Sequence, residues 1–89
     1  MIKHFDITIK GKVQGVYFRH HTKEIADKLG IRGIVQNQDD GTVRIEAEGN
    51  AEQVKKFLEW CKEGPDTAAV DSLEFHIGEI RHYQSFEIT

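Results

Sequence analysis

The feature that narrows the fold most is the change of hydrophobic period along the chain. Phe5, Ile7 and Ile9 alternate with His4, Asp6, Thr8 and Lys10. A period of two predicts a strand over Ile2–Lys10 with one buried face. From Phe18 the period lengthens, and Phe18, Thr22, Ile25, Ala26 and Leu29 share one helical face, with Gly30 placed to stop the helix. Ile31–Gln38 then reads as a strand, and Asp39-Asp40-Gly41-Thr42 as a turn. Val43, Ile45 and Ala47 alternate with Arg44, Glu46 and Glu48, which pairs this third strand with the second as a hairpin. Asn50 with Gln53 resembles a capping box, and Val54, Phe57, Leu58 and Cys61 form the apolar stripe of a helix over Ala51–Lys62. Gly64-Pro65 ends that helix; Ala69–Ile77 and a short His82–Thr89 segment complete the strands.

The order β-α-β-β-α-β predicts an α+β, ferredoxin-like sandwich. Two helices cover one face of a four- to five-stranded, mostly antiparallel sheet. A chain of 89 residues leaves room for one domain, 1–89. Residues with apolar side chains never run beyond three in succession, so no transmembrane helix is expected. The N-terminal residues carry Lys3, Asp6 and Lys10 and no apolar block, so no secretory signal is expected either. The single Cys61 cannot close an intrachain disulfide, which fits a reducing, cytoplasmic setting.

Net charge is −3, which argues against nucleic acid as a partner. The distribution says more. Residues 10–23 carry Lys10, Lys12, Arg19 and Lys23 with no acid, a +4 segment in a remainder of −7. Such a segment attracts small anions locally. Recognition of single-stranded RNA, known on this topology, needs stacking aromatics on the central strands. Val43–Glu48 has none, and its polar face is expected to be exposed and acidic at Glu46 and Glu48.

The chemistry-bearing segment is Gly11-Lys12-Val13-Gln14-Gly15-Val16-Tyr17-Phe18-Arg19, between the first strand and the first helix. Free N–H groups at a helix N-terminus and close-wrapping glycines suit a phosphate, and Arg19 can add paired N–H donors. It is not a Walker A loop, because Gly11-Lys12 lacks the required spacing and hydroxyl. On the residues alone, an ordinary strand-to-helix connection explains the loop as well. In the same way, Asn37 reads as the opener of the hairpin.

Two motifs shift that balance. The loop carries G-x-V-Q-G-V-x-F-R in full, and Gly33–Val43 carries G-x-V-x-N-x-x-x-G-x-V, with Gly49 and Gly64-Pro65…Val70 following. Across essentially the whole chain the sequence resembles the acylphosphatase family. The departure is Ile34, where the family usually has an aromatic residue, read as altered packing beside Asn37.

The resemblance implies a hydrolase that splits acyl phosphates into a carboxylate and inorganic phosphate. Arg19 and Asn37 would be its catalytic residues, and the backbone of Gly15, Val16, Tyr17, Phe18 and Arg19 its phosphate-binding loop. Asn37 would orient the attacking water. The implied enzyme needs no metal or other cofactor, works as a monomer, and binds inorganic phosphate as product and inhibitor. A noncatalytic anion-binding or regulatory domain is the alternative on the same fold.

The remaining reactive side chains read as structural. His20 and Glu24 share a helical face without a third ligand, and His4, His76 and His82 are expected on solvated positions. Cys61 belongs to the core stripe, and Trp60 to its edge. Tyr17 is placed at the pocket mouth.

Overall fold

The computed structural model describes residues 1–89. Its elements are β1 (Lys3–Lys12), α1 (Phe18–Leu29), β2 (Arg32–Asn37), β3 (Val43–Gly49), α2 (Ala51–Glu63), β4 (Ala69–Gly78) and β5 (Phe86–Ile88). The strands form one sheet in the order β4-β1-β3-β2-β5. All neighbours are antiparallel except β2 and β5, which run parallel. The expected sandwich is therefore present, with five strands and a mixed sheet. The last strand is shorter than the sequence suggested: it begins at Phe86, and residues 82–84 stay outside it.

Period-two patterning works as expected on the helix-facing side. Phe5, Ile7 and Ile9 lie opposite Ala47, Ile45 and Val43, and Val35 lies opposite Ile45. All seven are buried. Phe18, Thr22 and Ala26 of α1 and Val54, Phe57 and Cys61 of α2 close over them. Phe57 meets Phe86 of β5 with ring centroids 6.0 Å apart, and Trp60 packs on Phe18 at 5.7 Å. Each large side chain buried this way contributes about 1.5–3 kcal/mol.

The helix ends follow the sequence signals. Asn50 Oδ1 accepts from the Gln53 N–H at 2.8 Å, and Gln53 Oε1 accepts from the Asn50 N–H at 2.9 Å, completing the capping box. Gly33 marks a different constraint, because a Cβ there would lie 1.7 Å from the Glu46 carbonyl oxygen. Only glycine lets β2 approach β3 at that point.

The opposite sheet face corrects two expectations. Glu46 and Glu48 are 3% and 4% exposed, and His4 is 1% exposed. None of them is solvated. The segment between β4 and β5 folds back across this face and brings Arg81 and Tyr83 over the acids. Glu46 Oε1 accepts from the Tyr83 hydroxyl at 3.0 Å and pairs with Arg81 Nε at 3.2 Å; its Oε2 accepts from Arg44 Nη1 at 2.8 Å. Glu48 accepts from the Arg81 and Tyr83 N–H groups at 2.6 and 3.0 Å, and lies 2.8 Å from His4 Nδ1. Alternation identified the polar face correctly. It carried no information about a distant segment covering that face.

Burying a carboxylate raises its pKa. At Glu48 the donors from Arg81, His4 and Tyr83 outweigh that effect and hold the carboxyl below its ordinary value. A depressed folded-state pKa contributes stability above the unfolded value near 4.5, and that contribution is lost as pH falls through the folded value. Burial and the neighbouring Glu46 carboxylate raise the Tyr83 phenol instead. Glu48→Gln should cost about 1–3 kcal/mol at neutral pH. It should also flatten the acid limb of the stability curve. Denaturant midpoints measured from pH 7 to pH 3 check both.

Candidate active site

The loop from Val13 to Tyr17 leaves β1 and enters α1. Gly15 has φ 73° and Tyr17 has φ 60°. Positive φ at these alternate positions bends the loop into a concavity between β1 and α1. At Tyr17, the residue preceding α1, no side chain caps the helix, and its first turn holds no acidic residue. Its leading N–H groups and the positive dipole end therefore remain available. A non-glycine residue in this conformation costs about 1–2 kcal/mol. The surroundings hold it there: Thr67 Oγ1 donates to the Val16 carbonyl at 2.9 Å, and the adjoining Phe18 ring is buried.

The concavity opens into a cavity of about 390 Å³ lined by Gly15, Tyr17, Phe18, Arg19, Asn37 and Ile88, among others. Arg19 is held at its rim, where Nη1 donates to the Thr89 carbonyl at 3.3 Å. No aspartate or glutamate side chain pairs with the guanidinium, whose one hydrogen bond runs to Thr89, the last residue of the sequence. Asn37 is the last residue of β2 and lies opposite Val43, on the helix-facing side of the sheet. Its Oδ1 is buried and has no hydrogen-bond partner. A buried acceptor left unpaired costs about 1–3 kcal/mol, so this atom suits a donor that enters the cavity.

Five of the six residues named from the sequence line this cavity. The exception is Val16, whose side chain packs against the core. Its share of the loop is backbone. Tyr17 is at the mouth as expected, 78% exposed. Ile34 requires a correction: it lies opposite Glu46, on the sheet face away from Asn37. Its replacement of an aromatic residue therefore changes the covered polar face and not the cavity.

Lys23 is no free guide for anions, because Nζ donates to the Phe86 carbonyl at 2.7 Å and tethers α1 to β5. The His20–Glu24 pair, 3.5 Å apart, is exposed on both sides. Cys61 is fully buried, and burial pushes its thiol far above the ordinary value, which excludes it as a nucleophile. Sequence reasoning missed Thr67, Ile88 and Thr89. They reach the site only through the closing of the sheet, and nothing local to them signals it.

A ferredoxin-like sandwich whose first strand-to-helix loop shares a cavity with Asn37 defines the class. The family model described as Acylphosphatase matches residues 5–88. An acylphosphatase from Shewanella amazonensis is 46% identical over 84 residues, spanning 93% of this chain and 92% of the relative. One from Archaeoglobus fulgidus is 45% identical over 83 residues, spanning 93% of both. The crystal structure of acylphosphatase from Bacillus subtilis superimposes with a TM-score of 0.95 at 33% identity, over 100% of this chain and 99% of that one. The chain belongs to the acylphosphatase family, and its activity is the hydrolysis of acyl phosphates.

At Gly15 a Cβ would meet nothing within 4 Å, so any cost of substitution there is conformational. Gly15→Ala should lower stability by about 1–2 kcal/mol. Denaturant unfolding of the variant beside the wild type measures it.

Proposed function

We propose that the phosphoryl group of the substrate sits in the Gly15–Arg19 loop and is attacked in line by a water held on Asn37. The observation that carries this reading is the buried, unpartnered Oδ1 of Asn37 in the same cavity as the loop and Arg19. A water donating to that oxygen presents its lone pair to the phosphorus. Backbone N–H groups of Gly15, Val16, Tyr17, Phe18 and Arg19 form the cradle, and the Arg19 guanidinium pairs with phosphoryl oxygens.

The chemistry needs little else. The leaving group is a carboxylate whose conjugate acid has a pKa near ~4. It departs without protonation, so no general acid is required. Charge spreads over the phosphoryl oxygens in a loose transition state. Arg19 and the aligned N–H dipoles stabilise that charge without reorganising. Asn37 orients the water and is not a base, since an amide takes up no proton near neutral pH. The water proton passes to a phosphate oxygen or to solvent. In this scheme no step calls for a metal.

The reading extends to a monomer of one domain acting in the cytoplasm. Every group it uses comes from one chain, and the lone cysteine is inert. Inorganic phosphate, as product, competes for the same cradle.

Hydrolysis of benzoyl phosphate in the presence of EDTA tests the scheme. Arg19→Ala should weaken phosphate inhibition and lower kcat by roughly 10²–10³-fold. Asn37→Ala should lower kcat to a similar degree while phosphate inhibition persists. Full activity in either variant removes that residue from the mechanism. An activity abolished by EDTA removes the metal-free scheme.

A further inference from the structure

The cradle and Asn37 come from distant parts of the chain, and in-line attack needs their separation held closely. Between residues 13–19 and residues 37–42 no backbone hydrogen bond is formed. The hydrogen bonds that join them both come from one side chain. Gln14 Nε2 donates to the Gln38 carbonyl at 2.8 Å and to the Thr42 carbonyl at 2.9 Å. Gln14 immediately precedes the first cradle residue, and Gln38 immediately follows Asn37.

The turn that receives these bonds is stiff in its own right. The Gln38 N–H donates to the Thr42 carbonyl at 2.9 Å, and the Gly41 N–H donates to the Gln38 carbonyl at 3.1 Å. Thr42 Oγ1 donates to Asp40 Oδ1 at 2.6 Å and lies 3.1 Å from Gln38 Oε1. The Thr42 hydroxyl and N–H together hold the Asp40 carboxyl below its usual range. A rigid turn carries the neighbouring Asn37 with it. Whatever fixes the turn to the loop therefore fixes the water-holding oxygen to the phosphate-holding N–H groups.

We infer that Gln14 is a positioning residue for hydrolysis, setting the distance between the Asn37 amide and the cradle through its two amide protons. The inference rests on the roles proposed above for Asn37 and the loop. Gln14 does not line the cavity. Its effect belongs to kcat, because ground-state phosphate binding needs only the loop and Arg19. A misplacement of about 1 Å costs on the order of 100-fold in rate.

A double-mutant cycle tests this. Gln14→Met keeps the shape of the side chain and removes both donors. It should lower kcat about 10- to 100-fold. Phosphate inhibition should stay within about twofold of wild type. In an Asn37→Ala background the same change should alter kcat by less than about twofold, since there is no longer an oriented amide to misplace. A merely structural role predicts multiplicative losses, and that result overturns the inference. So does a Gln14→Met variant that loses phosphate inhibition at unchanged kcat. If Asn37→Ala is impaired but Gln14→Met is fully active, the positioning role fails while the Asn37 role stands. If Asn37→Ala itself is fully active, both fail. Denaturant unfolding confirms that each variant is folded. Should Gln14→Met not fold, Gln14→Asn carries the same test, because it keeps the amide but falls one methylene short.

Discussion

The register of β1 against β3 is the constraint on which the rest depends. Ile7 faces Ile45 at the centre of the sheet, with Phe5 opposite Ala47 and Ile9 opposite Val43. A slip of β1 by one residue would send Asp6 under the helices and Ile7 to the far face. The same register sets the ends of the strands. β1 runs out, and β3 begins, at the edge where β2 ends in Asn37. The loop after β1 and the asparagine ending β2 therefore open into one cavity, although 18 positions in sequence separate Arg19 from Asn37.

One consequence of that register is a far face that is also buried at its centre, at His4, Glu46 and Glu48. The helix-facing side is apolar and held by packing. The other side carries His4, Asp6, Arg44, Glu46 and Glu48, and residues of the segment from Arg81 to Tyr83 close over it. Charges removed from water are tolerated only when fully paired, and here Glu46 and Glu48 are engaged on both carboxylate oxygens. The polar layer also anchors the approach to β5, whose Phe86 packs into the core and whose following residue Thr89 holds Arg19. A structural layer on one face thus contributes to the placement of a site on the other.

The proposed mechanism is economical because the reaction is undemanding at the leaving group. A departing carboxylate requires charge stabilisation and a positioned water, not a proton donor. Backbone N–H groups serve well for such a task. They are fixed by the fold, cost no side-chain entropy, and cannot be titrated. The left-handed backbone of Gly15 and Tyr17 is the conformational expense of shaping the Gly15–Arg19 loop.

Both helices were legible in the sequence, because periodicity and capping are local properties. Gly30 and the Asn50–Gln53 pair mark their ends within a residue of where they fall. The hairpin and the loop motif were legible for the same reason. His4, Glu46 and Glu48 were not, because their burial depends on a segment more than thirty positions away in sequence from either glutamate. The orientation of Ile34 was legible, since an offset of three positions within one strand puts it on the face away from Asn37. The sequence by itself determined the elements, their order and the residues capable of the chemistry, since each follows from neighbours along the chain. The tertiary structure alone decided that Asn37 shares a cavity with the Gly15–Arg19 loop and keeps an unpaired oxygen, that Gln14 spans the two segments, and that Glu46 and Glu48 are covered. Those are distances between residues remote in sequence, and only the closed sheet fixes them.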